Sequence, residues 1–419
     1  MIKKIDSLVE HFLAEEPLIL LESQSKNHKA SHFTYLAARP NAAIKAYGDQ
    51  IEVTEGKVKS FFTANPWQAL KEFREKYKSF IVGYLGYDLK NYTQKLTSCN
   101  EDKVAAHDMF FMVPTVLLKI DNQKEEISVL KGRMPDIKPR TSAADNVKIS
   151  MIHSSISRKD YFSAVKQIKY DIDEGKYDEL NFTHQLHARF SGSCYGLYQK
   201  MRKNGPVPFG AFIKVDDLKI CSFSPERFLR KKGRCLISQP IKGTIKRTGI
   251  MAEDKVLKAR LQSSLKERNE NQLAVELVCF DLNRVSRPGS VQVERLYEIQ
   301  SFNTVHQMVS TISGFAETAE PVDIVKSCFP MGSMTGAPKV KAMRAIEEYE
   351  NYKRGVYSGA IGFITPDGDF DFNAVIRTAI IKKNDLYYSA GGAITAGSDP
   401  EDEWQESWLK AERLKQIIK

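Results

Sequence analysis

A lysine in a strand-like segment is the residue of this sequence whose type and setting most clearly suggest catalytic chemistry. Lys242 lies in residues 239–244, Gln-Pro-Ile-Lys-Gly-Thr, where the proline and the glycine hold the backbone in a tight conformation. A lysine becomes a nucleophile when burial or a neighbouring cation lowers the pKa of its amine. Because most lysines in such segments are solvated, this one alone leaves a catalytic and a structural role open.

Three glutamates with helical spacing are candidate metal ligands. Glu270 shares a helix face with apolar residues three, four and seven positions on, so its carboxylate either has a buried partner or faces solvent. In the last helix Glu403, Glu406 and Lys410 share one face, which suits a helix start with an i,i+4 ion pair or a pair of oxygen ligands. Without a Cys/His set, these ligands predict Mg²⁺ rather than zinc.

A second group of residues suits the binding of a carboxylate. Arg377 lies in an apolar strand-like run, and a guanidinium grips a carboxylate through two parallel hydrogen bonds. Gly391 and Gly392 allow backbone N–H groups to approach an anion closely. The glycine-containing run 329–339 is not a phosphate loop, because its second glycine is followed by Ala-Pro-Lys.

Short strands and isolated helices surround these residues. Strands are predicted at 18–21, 51–53, 80–84, 210–215, 219–223, 234–238, 359–364, 374–381 and 386–390. Helices are predicted at 67–77, from Arg158, over 254–285 and from Asp399, where Asp-Pro forms a helix start. The strands and helices do not alternate regularly, which favours an α+β fold with mainly antiparallel sheets.

The chain of 419 residues is long enough for one large, closely packed body. Residues 1–132 are interpreted as an N-terminal region and residues 133–154 as a linker or surface loop. Residues 155–419 contain every candidate site residue named above.

Charge and cysteine content limit the partners and the compartment. The formal net charge of +10 favours anionic partners, but the basic residues are scattered, so a small anionic substrate is predicted and nucleic acid is not. The densest basic cluster, residues 230–234, is typical of a hairpin turn. None of the six cysteines forms a C-x-x-C pair, and neither a signal peptide nor a membrane span is recognisable. These features predict a cytoplasmic protein with reduced thiols.

The order of the motifs along the chain resembles one family, although each motif alone is weak. From residue 224 the chain contains, in order, Ser-Pro-Glu, Pro-Ile-Lys-Gly-Thr, Glu270, Pro-Gly-Ser-Val (288–291), Val-Ser-Thr (309–311), residues 332–339, Ile-Arg-Thr (376–378) and Asp-Pro (399–400). This order is similar to that of the anthranilate synthase and aminodeoxychorismate synthase component I family, strongly over 155–419 and weakly at 20–23 and 83–88. The resemblance implies an α/β/β/α sandwich of two face-to-face sheets with helices outside.

The resemblance also implies a reaction, since family members bind chorismate together with Mg²⁺. Lys242 would add to the chorismate ring while Glu226, in the Ser-Pro-Glu motif, protonates the leaving hydroxyl. Ammonia would then displace the lysine and leave 4-amino-4-deoxychorismate. The remaining implied roles are Mg²⁺ binding by Glu270, Glu403 and Glu406, carboxylate binding by Arg377, Tyr357, Lys410, Gly391 and Gly392, and placement of the ring by Thr244.

One residue separates the branches of this family. Aminodeoxychorismate synthases carry Lys in the Pro-Ile-x-Gly-Thr motif, whereas anthranilate synthases usually carry Ala, so Lys242 predicts the former and leaves anthranilate synthase component I as the alternative. Isochorismate and salicylate synthases are less favoured, because they typically carry Ala at the position of Lys242 and use water rather than ammonia. A catalytically silent regulatory subunit is less favoured, because Lys242, Glu226 and three carboxylates are retained. A Cys-His-Glu glutaminase module is not recognisable, so ammonia is expected from a separate glutamine amidotransferase subunit.

The sequence departs from the family pattern at two places. Residues 275–281 read Val-Glu-Leu-Val-Cys-Phe-Asp, without the family's Arg-Asn pair. Gln307 stands where the family has a histidine, and an amide can form hydrogen bonds but cannot transfer a proton at neutral pH. Residues 20–23 resemble the family's tryptophan pocket, and tryptophan binding and a purely structural role remain open.

Overall fold

Twenty-two antiparallel strands form the centre of the described protein. The structure is a computed structural model that describes residues 1–24, 32–136, 146–302 and 305–418. The strands are β1 (Leu18–Glu22), β2 (Phe33–Tyr47), β3 (Gln50–Glu55), β4 (Val58–Thr63), β5 (Ile81–Leu85), β6 (Met109–Asp121), β7 (Glu126–Lys131), β8 (Lys148–Ile149), β9 (His153–Ser154), β10 (Glu179–Ser191), β11 (Phe209–Val215), β12 (Leu218–Ser224), β13 (Arg227–Lys232), β14 (Cys235–Gln239), β15 (Ile241–Lys246), β16 (Gln292–Ser301), β17 (Val305–Phe315), β18 (Gly336–Ala337), β19 (Ala360–Ile364), β20 (Phe370–Ala374), β21 (Thr378–Lys382) and β22 (Asp385–Ile394).

Helices cover the strands. Within the described residues they are α1 (Ile2–Phe12), α2 (Pro66–Tyr77), α3 (Asn91–Gln94), α4 (Arg158–Asp173), α5 (Cys194–Lys203), α6 (Met251–Ser263), α7 (Leu265–Asn283), α8 (Pro321–Cys328), α9 (Lys339–Tyr349), α10 (Pro400–Lys410) and α11 (Glu412–Ile418). The predicted helices at 67–77 and from Arg158 are confirmed. So is the last helix, where the Asp399 side chain accepts hydrogen bonds from the first turn and proline occupies an initial position.

The core shows why the architecture is a sandwich. One cluster of buried apolar side chains, which includes Ile19, Val82, Ile213, Ile361 and Ile380, contains no helical residue, so strand faces pack on strand faces there. Other clusters bury residues of α2, α7 and α8, or of α1, α5 and α11, against the opposite strand faces. The predicted α+β sandwich with helices outside is therefore confirmed.

The N-terminal and C-terminal parts of the chain share their sheets. Strand β1 lies between β2 and β11, and β5 lies between β6 and β19. Strand β10 pairs with β22 along almost its whole length. Within the predicted linker at 133–154, residues 137–145 lie outside the described residues, while β8 and β9 each pair with β10.

Two predicted elements are interrupted. The single helix predicted over 254–285 is wrong: α6 ends at Ser263, and Ser264, in an extended conformation, starts α7 by accepting a hydrogen bond from the Glu267 amide. The single strand predicted over 374–381 is also wrong, because the chain leaves β20 at Ala374 and re-enters β21 only at Thr378. Arg377 therefore lies in a connection between strands. Both breaks are adjacent to the candidate site.

Candidate active site

A β-bulge places Lys242 in the interior. The pairing of β15 with β17 shifts register between Ile241 and Thr244, and such bulges redirect a side chain. Lys242 is only 9% exposed. Its Nζ donates a hydrogen bond to Oε1 of Glu179, at the start of β10, over 2.9 Å.

The glycine after this lysine is required by packing. Gly243 has a φ of +83°, and a Cβ there would lie 2.7 Å from Oε2 of Glu267 on α7. A larger residue would be strained by its backbone conformation and would push α7 away. The Lys-Gly pair therefore lets a carboxylate-bearing helix approach the lysine.

The electrostatic surroundings keep Lys242 charged at rest. Burial alone would lower the pKa of its ammonium, but the carboxylates of Glu179, Glu270 and Glu226 outweigh burial and raise the pKa to about 12. The proton must therefore be removed before the amine can attack an electrophile. We call Lys242, Glu179, Glu226 and Glu270 the reaction cluster.

Glu226 has the properties of a proton donor. It lies between β12 and β13, is 5% exposed, and accepts a hydrogen bond of 2.6 Å from the hydroxyl of Ser333. Burial raises the pKa of Glu226 to about 7, although Ser333 and Lys242 oppose the rise. A substantial fraction of this carboxyl group is therefore protonated at neutral pH.

Residues 329–339, which are not a phosphate loop, contact both the reaction cluster and α7. Ser333 contributes the hydrogen bond to Glu226, and Nζ of Lys339 lies 2.5 Å from Oδ2 of Asp281 on α7. Both ends of that ion pair are buried, with side-chain exposures of 9% and 6%. The segment thus ties Glu226 and α7 together.

Helix α7 brings two carboxylates to the lysine. Glu270 has a side chain that is 13% exposed, and burial raises its pKa to about 7, since the attraction of Lys242 is too small to compensate. Burial also raises the pKa of Glu267, and the charge of Glu406 adds to the effect. Glu270 therefore faces the site rather than bulk solvent.

A second group of charges comes from α10. We call Glu403, Glu406, Lys410 and Gly392 the C-terminal cluster. A Cβ at Gly392 would lie 3.2 Å from Oε2 of Glu403 and 3.3 Å from Nζ of Lys410, so all these groups meet. Lys410 forms an ion pair of 2.6 Å with Glu406, and its ammonium lowers the pKa of that carboxylate.

The glycines of β22 have different surroundings. A Cβ at Gly391 would lie 2.0 Å from the carbonyl oxygen of Phe182 on β10, so only glycine fits there. Strand β21 pairs with β22 only as far as Tyr388. In the part of the chain that the structure describes, β22 beyond this point has a strand neighbour on one side only, which leaves that edge of its backbone for other contacts.

Lys266 connects the two clusters. Its Nζ lies 3.3 Å from Oε1 of Glu403 and 4.0 Å from Oε1 of Glu270. Burial lowers the pKa of Lys266, but Glu403 and Glu270 outweigh burial and raise it overall. An ammonium group therefore stands between carboxylates from two different helices.

Arg377 and Tyr357 lie near the C-terminal cluster. Arg377 has a φ of 53°, an uncommon conformation for a non-glycine residue and one that is often found at functional sites. Its positive charge contributes to the lowered pKa of Glu406, after the larger contributions of Lys410 and Lys266. Tyr357 is buried just before β19; burial raises the pKa of its hydroxyl, and the nearby Arg377 is one of the cations that oppose the rise.

Gln307 and Thr244 are paired across β15 and β17. The Gln307 amide nitrogen donates a hydrogen bond of 3.3 Å to the Thr244 hydroxyl. The Gln307 carbonyl oxygen is buried and has no partner in the described parts of the chain. The residue that replaces the family's histidine thus orients Thr244 and retains a free acceptor.

In residues 20–23, which resemble the tryptophan pocket, Glu22 takes part in a buried polar network. Glu22 is 2% exposed and accepts hydrogen bonds from the Tyr198 hydroxyl at 2.7 Å and from Arg202 at 2.8 Å. Its charge is therefore satisfied inside the protein. Tryptophan binding at this place stays a prediction.

The donor set of the site suits a hard divalent cation. Glu267, Glu270, Glu403 and Glu406 offer carboxylate oxygens only, which are the ligands that Mg²⁺ takes. Among the residues described, no three acidic, His or Cys side chains lie close enough together to bind one ion as they stand. Lys266 instead stands between Glu270 and Glu403, at a position where a divalent cation would balance the same charges.

The sequence alone did not reveal three residues of the site. Glu267 was detectable, because it lies one helical turn before Glu270 on the same face of α7. Ser333 lies in the segment 332–339, which by itself predicts no chemistry, and Glu179 lies outside every motif. They reach Glu226 and Lys242 only through contacts across 107 and 63 positions of the chain.

Residues 16–416 match the family described as chorismate binding enzyme, and the chain belongs to this family of enzymes. The anthranilate synthase component 1 of Aquifex aeolicus is 30% identical, over 96% of this chain and 89% of that protein. The aminodeoxychorismate synthase component 1 of Escherichia coli is also 30% identical, over 96% of this chain and 93% of that protein. The chloroplastic aminodeoxychorismate synthase of Arabidopsis thaliana is 37% identical, over 81% of this chain and 40% of that protein, so the aminodeoxychorismate synthases are the better-supported relatives.

A solved structure confirms the fold. The anthranilate synthase component I of Streptococcus pneumoniae superimposes with a TM-score of 0.80 at 26% identity and covers 92% of both chains. Across the described ranges, none of the helices has the length and apolar composition needed to cross a bilayer.

Proposed function

We propose that this chain is the aminating component, component 1, of an aminodeoxychorismate synthase. The observation that carries the proposal is Lys242, a buried lysine in the Pro-Ile-Lys-Gly-Thr motif that faces Glu226 and Glu270. Anthranilate synthases usually carry alanine at that position. The product would be 4-amino-4-deoxychorismate, a precursor of para-aminobenzoate and folate.

The first half of the proposed reaction uses the reaction cluster. The neutral amine of Lys242 attacks C2 of the chorismate ring, both ring double bonds shift, and the C4–O bond breaks. Glu226 donates its proton to the departing hydroxyl, which leaves as water. Its pKa of about 7 makes the protonated form available at neutral pH and the carboxylate easy to form.

The second half reverses the covalent step. Ammonia attacks C4, both ring double bonds shift back, and the bond between C2 and Nζ of Lys242 breaks. The Glu226 carboxylate accepts the proton that the new amino group loses. The enzyme then returns to its starting protonation state, and the lysine has divided one difficult displacement into two easier steps.

The C-terminal cluster, with Arg377 and Tyr357 beside it, would bind the two carboxylates of the substrate. Arg377 and Lys410 supply positive charge, the edge of β22 without a described strand partner at Gly391 and Gly392 supplies backbone N–H groups, and Tyr357 supplies a hydroxyl. Thr244, oriented by Gln307, would contact the ring.

We also propose a bound Mg²⁺ held by Glu270, Glu403 and Glu406, with Glu267 in reach as a further carboxylate. When bound, the ion would neutralise a substrate carboxylate among these glutamates.

The ammonia would come from a separate glutamine amidotransferase subunit, in keeping with the "component 1" of the relatives' names. Such a pair would work in the cytoplasm, where the chain's free cysteines remain reduced. Affinity purification of the tagged chain from its host, followed by an assay with glutamine, tests this. Full glutamine-dependent activity of the purified chain alone would contradict it.

The experiment that tests the activity combines the purified chain with chorismate, MgCl₂ and an ammonium salt. We expect a product with the mass of 4-amino-4-deoxychorismate, and para-aminobenzoate only after aminodeoxychorismate lyase is added. Lys242→Ala should abolish product formation, whereas Lys246→Ala, an exposed lysine on the same strand, should leave it unchanged. Anthranilate formed without the lyase would establish the alternative activity instead.

A further inference from the structure

We infer that Glu179 is the catalytic base that removes the proton from the Lys242 ammonium before each attack on the ring. This inference rests on the proposed function, in which Lys242 is the nucleophile. It assigns a role to a residue that lies outside every motif of the chain. The evidence is geometric and concerns both oxygens of the Glu179 carboxylate.

Glu179 is held firmly against the nucleophile. Its side chain is 1% exposed, and its Oε1 lies 2.9 Å from Nζ of Lys242. Its backbone opens β10, where it pairs with Ala337 of β18, and the preceding Asp178 amide donates a hydrogen bond of 2.7 Å to the Ala337 carbonyl. The carboxylate is therefore positioned by a sheet rather than by a loop, which favours proton transfer in a fixed geometry.

The second oxygen of this carboxylate lacks a partner. Oε2 of Glu179 is buried, and in the described residues it accepts no hydrogen bond. A buried carboxylate oxygen without a donor is costly in a purely structural ion pair, because the desolvation of its charge is not compensated. A donor at this oxygen would stabilise the charged form, so its absence among the described residues favours uptake of a proton from Lys242 through Oε1.

The other charged groups around Lys242 are less suited to the task. The groups that face it are Glu179, Glu226, Glu267 and Glu270. Glu226 is hydrogen-bonded to Ser333 and must carry a proton for the leaving hydroxyl. Glu267 and Glu270 lie on α7 towards the proposed metal position, and the hydrogen bond from Lys242 goes to Glu179.

The proton balance closes over one cycle. Lys242 ammonium and Glu179 carboxylate become amine and carboxylic acid, and the amine then forms the C–N bond. After ammonia has displaced the lysine, the released amine recovers the proton from Glu179. Glu226 separately gives a proton to the leaving water and recovers one from the new amino group, so no external acid, base or redox partner is needed.

The test measures the covalent step without ammonia. The full-length enzyme is mixed with chorismate and MgCl₂, and the adduct on Lys242 is quantified over time by intact-protein mass spectrometry. For Glu179→Gln, which keeps a hydrogen-bond acceptor but cannot take a proton, we expect adduct formation to slow by about 10²–10⁴-fold. The rate should then rise about tenfold per pH unit above pH 7, since hydroxide must remove the proton instead. KM for chorismate should change by less than about twofold, because Glu179 does not contact the substrate carboxylates.

Two further variants keep the result interpretable. Glu174→Gln, an exposed glutamate just before β10, should behave as wild type. Glu179→Asp retains a carboxylate and should recover part of the rate that Glu179→Gln loses, which covers the case in which the amide variant folds poorly. Thermal melts of each variant establish that it is folded.

The outcomes separate this inference from the proposed function. If wild type makes 4-amino-4-deoxychorismate but Glu179→Gln forms the adduct at the wild-type rate, Glu179 is not the base. If adduct formation is normal and only KM for ammonia rises, Glu179 binds ammonia and the inference is equally wrong. If wild type makes no aminated product under any condition, the proposed function itself fails.

Discussion

The reaction cluster and the C-terminal cluster differ in burial and in the direction in which the pKa values of their glutamates shift. Around Lys242, side chains are almost fully buried, and the pKa values of both Glu226 and Glu270 rise to about 7. Around Lys410, the side chains of Glu406 and of the lysine itself are 44% and 26% exposed, and the pKa of Glu406 is lowered. The first cluster is built to move protons, and the second is built to hold fixed charges for binding.

This difference follows from the elements that supply the residues. The reaction cluster is enclosed by β10, β15, α7 and the segment that carries Ser333, so desolvation dominates. The C-terminal cluster lies where β22 extends beyond its neighbour β21 and α10 begins, so Glu406 and Lys410 keep contact with solvent, whereas Glu403 is buried. Substitutions in the two clusters should therefore affect different kinetic constants.

After the loss of Lys242 itself, the largest effect should come from the proton donor of the reaction cluster. Glu226→Gln keeps the acceptor for Ser333 but removes the acid, so kcat should fall by about 10²–10⁴-fold with little change in KM. In wild type, kcat should decline above pH 7 as Glu226 loses its proton. Steady-state kinetics from pH 6 to 9 check this, and a wild-type kcat that is flat up to pH 9 would contradict the assignment.

A substitution beside the C-terminal cluster should change KM for chorismate rather than kcat. Arg377→Ala removes a charge-assisted contact with a substrate carboxylate, so KM for chorismate should rise by roughly 10–100-fold while kcat changes much less. Arg234→Ala, an exposed arginine in the β13–β14 turn, is the matched control and should have no effect. A loss confined to kcat would break the division between the clusters.

Mg²⁺ affinity should depend on Glu403, the carboxylate of the C-terminal cluster that contacts Lys266. Glu403→Gln should weaken Mg²⁺ binding about tenfold or more, as measured by calorimetry with MgCl₂ and no substrate. The exposed Glu401→Gln on the same helix provides the control. Equal Mg²⁺ affinity of wild type and Glu403→Gln would remove this residue from the ligand set.

The smallest effect concerns stability. Because the folded-state pKa of Glu226 is raised to about 7, the folded protein keeps a proton that the unfolded chain releases near pH 4.5. Wild type should therefore lose stability as the pH rises through this window, whereas Glu226→Gln should not. The free energy of unfolding of the variant should exceed that of wild type by on the order of 1–3 kcal/mol at pH 8 and by little at pH 4.5. Urea unfolding at both pH values measures the difference, and equal stabilities at pH 8 would contradict the buried, protonated state.

The sequence predicted those parts of the site that lie in contiguous motifs. Lys242, Glu226 and the α10 glutamates each stand in short segments with recognisable spacing. The fold class followed from irregular strand order and the family resemblance. These features are local, so they can be recognised in the sequence without knowledge of which strands pair.

The missed features depend on contacts between distant segments. Glu179 is one acidic residue at the start of a strand, and only the approach of β15 to β10 gives it a role. The chain breaks between α6 and α7 at Ser264. Because helical residues flank Ser264 on both sides, the sequence pattern predicted one continuous helix there. Arg377 appeared to continue an apolar strand, because its left-handed conformation is not encoded by its residue type.

The pairing of β10 with β22 has a consequence for biosynthesis. Phe182 on β10 faces Gly392 on β22, and about 210 residues separate them in the chain. At about 5–20 residues per second, a ribosome needs roughly 10–40 seconds between the two. During that time β10 lacks its longest partner, and such unpaired strand edges attract other chains. The nascent protein should therefore rely on chaperones until β22 has emerged, and production in cells should respond more to chaperone supply than to changes on the surface of the finished fold.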